Sequence, residues 1–329
     1  MKAFVTGALG QLGQDLRPLL GADTVWTDRT ANAELGIEAV DITDQVAVQT
    51  AIEAAHPDVI YHCAAYTNVD GAESDEATAR AVNVDGTKHV AEAAALVGAK
   101  LVIISTDFVF DGTSNVPYVE TDEPNPLSVY GRTKLEAEDV ALLACKHTFV
   151  VRTAWLYGPK KLFSPVKNFP QTMKRLTQDF DQLNTKSPLT PLSKRGELPP
   201  LIRQLAEGIE GDFPSEKRPK EISVVNDQTG APTFSADLAA AIVPLAQSVD
   251  FGIWHITNSG QATWYDFARE ILKEEISAGK VTVNPIPTSA YPTPAKRPNY
   301  SVLDTTMFSE TFGVLRPWQE ALTEYLEQT

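Results

Sequence analysis

Five short apolar runs punctuate the first half of the chain: KAFVT (2–6), DTVWT (23–27), DVIYHC (58–63), KLVIIS (100–105) and TFVVRT (148–153). They scarcely alternate between apolar and polar positions, which is the pattern of strands covered on both faces. Between them lie longer stretches with apolar residues three and four apart, clearest in QLGQDLRPLL, TDQVAVQTAIEAAH and ATARAVNVDGTKHVAEAAALVG. That spacing collects the apolar side chains on one helix face. Alternating strands and helices predict an α/β architecture, and right-handed crossovers make it a doubly wound parallel sheet of the Rossmann type.

After TAWLYGP the rhythm breaks. NFPQTMKRLTQ reads as a helix, EISVVND (221–227) and FGIWHITN (251–258) as strands, SADLAAAIVPLA and WYDFAREILKEEI as helices, and YPTPAKRPNYS (291–301) as a loop. The intervening DQLNTKSPLTPLSKRGELPPLIRQ is rich in Pro, Ser, Lys and Leu without a period. Such composition disfavours regular structure, and a structureless stretch of that length is rare inside a compact domain. It is therefore expected to be an insertion, near 178–220.

The 329 residues, 43% of them hydrophobic and 22% charged, suit a soluble globular protein of one large or two unequal domains. A net charge of −15 argues against nucleic acid or an anionic membrane surface as partner. An anionic small molecule would need its own pocket of N–H donors or cations. Two cysteines, Cys63 and Cys145, and five scattered histidines carry no metal-ligand spacing, so no metal site is expected. MKAFVTGALG is too short an apolar run for a signal peptide, and no stretch approaches a membrane span, which leads to the expectation of a cytoplasmic, reducing location.

The first chemical motif is TGALGQLG, which sets Gly7, Gly10 and Gly13 three apart between a strand and a helix. Glycines there let a backbone turn tightly and approach a pyrophosphate, although the pattern is GxxGxxG rather than GxGxxG. The second strand ends in WTDRT. Asp28 would hold adenosine ribose hydroxyls and Arg29 would accept a 2′-phosphate, so NADH and NADPH both stay open. Asp41 and Ile42 fall where the third strand would meet an adenine; Asp41 is equally readable as a helix cap.

The second motif is YGRTK, in which Tyr130 and Lys134 share a helix face. A lysine ammonium beside a phenol stabilises the phenolate and lowers its pKa, suiting it as the acid for a developing alkoxide. STDFVF places Ser105 and Thr106 at the C-terminal end of a strand, where doubly wound sheets bind ligands. A hydroxyl there can hydrogen-bond a substrate carbonyl.

Glycine turn, strand-end hydroxyl and Tyr-x-x-x-Lys, in that order, resemble the extended short-chain dehydrogenase/reductases. GALGQLG, CAAYTNVDGAES, ISTDFVFDG, PLSVYGRTKLEAE, VVRTAWLYG, VVNDQTGAPT, WYDFA and PTPAKRPNYSVLD are similar to the dTDP-4-dehydrorhamnose reductase family over nearly the whole chain. The resemblance implies NAD(P)H-dependent reduction of dTDP-4-dehydro-β-L-rhamnose to dTDP-β-L-rhamnose by a monomer or homodimer. The alternatives are a related nucleotide-4-keto-sugar reductase giving another 6-deoxyhexose, or a non-catalytic dinucleotide-binding regulatory subunit, against which the joint presence of Thr106, Tyr130 and Lys134 argues. It implies a dinucleotide-binding domain of residues 1–157 plus about 221–250, and a smaller α/β substrate domain of about 158–220 and 251–329. It places Gly10, Gln11 and Leu12 at the pyrophosphate, Asp28, Asp41 and Ile42 at the adenosine, and Ala64, Ala65, Tyr66 and Thr67 at the nicotinamide side. Tyr130 would be the proton donor, and Lys134 would hold the nicotinamide ribose and tune the tyrosine. Thr106 and Asp107 would contact the sugar, Trp155 would cover it or serve the core, and Arg297 would be the cation for the diphosphate. Some members join as dimers through a metal on carboxylates, one of them in the first helix; Asp15 is shorter than the glutamate found there, and no metal is expected.

Overall fold

The computed structural model describes residues 1–158, 168–178 and 220–328. The Pro-rich segment expected as an insertion near 178–220 lies, apart from its ends, outside the described residues. The strands are β1 (Ala3–Thr6), β2 (Val25–Asp28), β3 (Ile37–Ala39), β4 (Val59–His62), β5 (Lys100–Thr106), β6 (Thr148–Thr153), β7 (Leu156–Tyr157), β8 (Lys220–Val225), β9 (Thr229–Gly230), β10 (Thr233–Phe234), β11 (Gly252–His255), β12 (Ala262–Thr263) and β13 (Val281–Ile286). Seven of them form one sheet in the order β3-β2-β1-β4-β5-β6-β11. Every neighbouring pair in it is parallel.

Period-two geometry explains why these strands read as unbroken apolar runs. Phe4, Ile60, Leu101 and Val150 pack on one face with Ile52 and Val90 from the helices Gln45–Ala55 and Gly86–Val97. Their neighbours Val5, Tyr61, Val102 and Val151 pack on the other with Leu12, Leu16, Leu238 and Ile242 from Gln11–Leu16 and Ser235–Gln247. Each such side chain contributes about 1.5–3 kcal/mol by leaving water, which makes the double-sided sheet the stable frame of the molecule. Reversal of strand order between β1 and β4 opens a crevice at the strands' C-terminal ends.

A second, aromatic core gathers Tyr157, Phe234, Phe267, Trp318 and Tyr325 with Ile222 and Val283. It is built on the parallel pair β8 and β13 and the helices Trp264–Ile271 and Trp318–Glu327. This pairing corrects the expected boundaries. β11 hydrogen-bonds to β6 and so belongs to the large sheet, whereas the expected substrate domain takes in residues from 251 onward. β8, expected within the dinucleotide-binding domain, pairs with β13. The reason is visible in its alternation: Ile222 is buried, Glu221 and Ser223 are exposed, and a strand with one wet face suits a two-stranded ribbon better than a covered sheet.

Candidate active site

A cleft of about 910 Å3 occupies the crevice at the sheet's C-terminal ends. Its floor begins at the glycine turn. Gly7 sits at φ +69°, and a Cβ there would lie 2.6 Å from the Ala64 backbone nitrogen, so the turns after β1 and β4 can touch only because residue 7 has no side chain. Gly10, Gln11, Leu12 and Gly13 continue the same wall, and Ala64, Ala65, Tyr66 and Thr67 form the facing one. At the end of β2 the Asp28 carboxylate accepts the Leu9 backbone N–H on Oδ2 (3.0 Å), which fixes it at the cleft edge with Oδ1 left to meet hydroxyls. Arg29, Thr30 and Asn32 lie beside it. Ile42 lines the same end with Asp41, whose Oδ1 accepts the Thr43 N–H (2.9 Å) and hydroxyl (2.8 Å). The helix cap is the neighbouring Asp44 rather than Asp41. A glycine-lined wall with a strand-end carboxylate fits a dinucleotide.

The other end of the cleft carries the reactive groups. The helix Val129–Ala144 starts on Ser128, whose Oγ accepts the Gly131 N–H (3.1 Å). A side chain at residue 131 would run into the Phe108 carbonyl, so this glycine lets the helix start press against the turn that follows β5. Tyr130 is thereby brought to the Thr106 end of the cleft, where the Thr106 hydroxyl favours its ionised form, and it packs edge-on against Phe108 at 5.8 Å. Lys134 follows one turn later and lines the same cleft.

Electrostatics here depart from the expected tuning. Burial pushes the Tyr130 phenol up to about 12, with the Thr106 hydrogen bond acting the other way, so burial outweighs any lowering by the lysine. Burial likewise lowers Lys134 to about 8, opposed by Glu138. Tyr130 is thus a neutral phenol at physiological pH, and Lys134 is poised near its own titration.

Two expected substrate contacts do not line the cleft. Asp107 is 1% exposed and turned inward, accepting hydroxyls from Ser301 (2.5 Å) and Thr106 (3.0 Å). The strand ends at Thr106, and Asp107 opens the 3-10 turn Asp107–Val109, which carries its carboxylate into the interior. Arg297 is taken up by Asp70, with Nη2 2.8 Å from Oδ2 and Nη1 3.1 Å from Oδ1, and Nη1 also donates to Thr293. Trp155 does line the cleft. It holds a left-handed φ of +47°, stacks on Trp264 at 3.5 Å, and leaves room at Gly230 for glycine alone, since a Cβ there would be 2.5 Å from the indole. Non-glycine residues in that conformation are strained and cluster at functional sites.

Several supporting residues carried no expectation. Asn83 lies in a π-helical turn, Ala81–Asp85. Its amide accepts the Tyr66 N–H (2.8 Å) and donates to the Tyr66 carbonyl (3.2 Å) and Thr133 (3.0 Å), tying the nicotinamide-side wall to the Tyr130 helix. An asparagine within an Ala-rich helical run was its only sequence signal. His62, at the end of β4, bridges Thr6 (2.7 Å) and Thr87 (3.1 Å). Either ring tautomer can make both bonds, since each threonine hydroxyl donates or accepts. Asp15, the first-helix carboxylate singled out above, is buried and accepts the Ser235 hydroxyl (2.5 Å).

The family described as RmlD substrate binding domain matches residues 1–187 and 213–329. A dTDP-4-dehydrorhamnose reductase of Aggregatibacter actinomycetemcomitans is 35% identical over 98% of this chain and 97% of its own length. A probable dTDP-4,6-dihydroxy-2-methyloxan-3-one 4-ketoreductase of Streptomyces antibioticus is 34% identical over 98% and 94%. The crystal structure of the Bacillus anthracis dTDP-4-dehydrorhamnose reductase in complex with NADP superposes with a TM-score of 0.77 at 33% identity, over 100% of this chain and 99% of that one. With the dinucleotide crevice, the Thr106–Tyr130–Lys134 cluster and the second core all included in these matches, the chain belongs to the RmlD family of dTDP-4-dehydrorhamnose reductases.

Proposed function

We propose that this chain reduces the 4-keto group of dTDP-4-dehydro-β-L-rhamnose to give dTDP-β-L-rhamnose, using NADPH or NADH. The observation that carries the reading is the meeting of Thr106, Tyr130 and Lys134 in the cleft whose opposite end has the glycine turn and Asp28. When bound, the nicotinamide supplies the hydride. The chain's own residues handle the oxygen. The Tyr130 phenol, kept neutral by burial, has a proton to give to the keto oxygen as charge develops there. Lys134, when charged, stabilises the phenolate that remains. Thr106 fixes the oxygen beside Tyr130, and Asp107, holding Thr106 and Ser301 from within, acts behind it rather than on the sugar. The Trp155–Trp264 stack gives the sugar an apolar cover. Asp28 and Arg29 both border the adenosine end, which suits either nucleotide. Two free thiols, Cys63 and Cys145, accord with a cytoplasmic site of action.

The 4-ketoreductase relative of Streptomyces antibioticus favours a second reading, in which the same machinery delivers hydride to the 4-keto-sugar in the other sense and gives another 6-deoxyhexose. Incubation with dTDP-4-dehydro-L-rhamnose and NADPH, followed at the nicotinamide band with product identification by NMR, separates the two. A rhamnose product with Tyr130→Phe slowed by roughly 10²–10⁴-fold supports the first. A 6-deoxytalose product supports the second. Absence of NADPH oxidation, or full turnover by Tyr130→Phe, defeats the mechanism.

A further inference from the structure

Beneath the reactive end of the cleft lies a charged pair that the mechanism above does not use. Tyr130, Lys134 and Glu138 succeed one another by one helical turn and share a face. Glu138 is as buried as a core residue, yet it is a carboxylate with three partners. Its oxygens accept Arg152 Nε (3.0 Å) and Nη2 (2.7 Å) and the Ser105 hydroxyl. Arg152 comes from near the C-terminal end of β6, equally buried, with its guanidinium 5.2 Å from the centre of the Phe110 ring. A buried ion pair adds little net stability, because desolvation offsets the attraction. What this one supplies is an anion fixed one turn from Lys134.

We propose that Glu138, held in place by Arg152 and Ser105, is a positioning residue that keeps Lys134 protonated at neutral pH and thereby sets the alkaline edge of the reduction. The inference rests on the reductase reading above. The helix of Lys134 places Tyr130 and Glu138 one turn to either side of it; His62 at the end of β4 feels its charge; Ser105 and Thr106 line the same cleft; Arg152 of β6 and Asp107 reach it through Glu138 and Thr106. His62 is held neutral by burial and by Lys134 itself. Asp107 is committed to Thr106 and Ser301. Glu138 is the one group that raises Lys134 against its burial. The ammonium form exists below the lysine pKa and is lost above it, so reduction should fall as pH rises through about 8. Removing the Glu138 charge moves that fall to lower pH.

The test compares the full-length protein with Glu138→Gln, with Ser105→Ala, and with the double variant Glu138→Gln/Arg152→Met, which leaves neither charge orphaned. Two readouts are taken: the pH profile of kcat/KM for the keto-sugar, and direct titration of Lys134 by NMR of 13C-labelled lysine without substrate. In Glu138→Gln both midpoints should drop by about one pH unit. In the double variant they should lie between that value and wild type, and in Ser105→Ala, which loosens Glu138 without removing its charge, they should drop by less than in Glu138→Gln. If Glu138→Gln does not fold, the double variant decides. Wild-type midpoints in every folded variant lacking the Glu138 charge would overturn the proposal, as would a rise. If the wild-type protein oxidises no NADPH with the keto-sugar, the reductase reading fails, while the Lys134 titration still decides the role of Glu138.

Discussion

Acid charges the histidines of an unfolded chain but not two of those in this fold. His62 and His255 are 3% and 0% exposed, and burial lowers both from 6.5 to about 3. Below 6.5 the unfolded state takes up protons that the folded state refuses until about 3, so stability falls as pH drops through that window. Each histidine contributes about 1.36 kcal/mol per pH unit, hence ~2 kcal/mol each and ~4 kcal/mol together between pH 6.5 and 5. Asp107 works in the opposite direction. Burial raises it from 3.8 to about 6, and its uptake of a proton in the folded state returns ~1.4 kcal/mol between pH 6 and 5. These three groups leave a loss of ~2.6 kcal/mol, a large part of a typical margin of 5–15 kcal/mol. Urea unfolding followed by circular dichroism at pH 7 and pH 5 measures it. His62→Gln, which can still accept from Thr6 and donate to Thr87, should lose ~2 kcal/mol less than wild type over the same interval. An equal loss in the variant, or a His62 imidazole that titrates near 6.5 in the folded protein, would refute the reasoning.

Two more perturbations follow from the geometry of the cleft. Gly7→Ala combines a left-handed φ with a backbone collision against Ala64, and should destabilise by about 2–5 kcal/mol in urea unfolding and weaken NADPH binding; a change under about 1 kcal/mol would contradict the close packing of the two turns. Asp107→Asn replaces one of two acceptor oxygens with a donor, so Thr106 or Ser301 must reverse its hydroxyl to accept; kcat should fall toward 10²-fold with KM for the sugar nearly unchanged, whereas a rise confined to KM would return Asp107 to the sugar surface.

The large sheet was legible because each of its first strands except β3 is an apolar run long enough to register. β3 spans three residues, Ile37–Ala39, with only Ile37 buried, and leaves no run to see. β13 hides behind Pro285 and an alternation that a two-stranded ribbon tolerates and a covered sheet does not. At the site, the glycine turn, Asp28, Thr106, Tyr130 and Lys134 announce themselves by spacing along the chain. The supporting residues do not, because their meaning lies in partners far away in sequence. Arg152 is the one charged residue of its strand until Glu138 is seen beneath it, and Asp107 looks like a sugar ligand until Ser301, nearly two hundred residues on, closes over it. Trp264 reads as the apolar face of a helix, and only the fold lays it on Trp155.

β11 carries a lesson about modularity. The chain leaves the large sheet after β6, builds part of the second core, and then returns to lay the Ser235–Gln247 helix and β11 onto the sheet before leaving again. Severing it after Tyr157 would therefore not release a nucleotide-binding module. It would turn β6 into a raw edge and strip Leu238, Ile242 and Leu245 from the face that Tyr61, Val102 and Phe149 present. The two halves of this molecule are sewn together by the chain's own path, so neither is free to be inherited, exchanged or unfolded without the other.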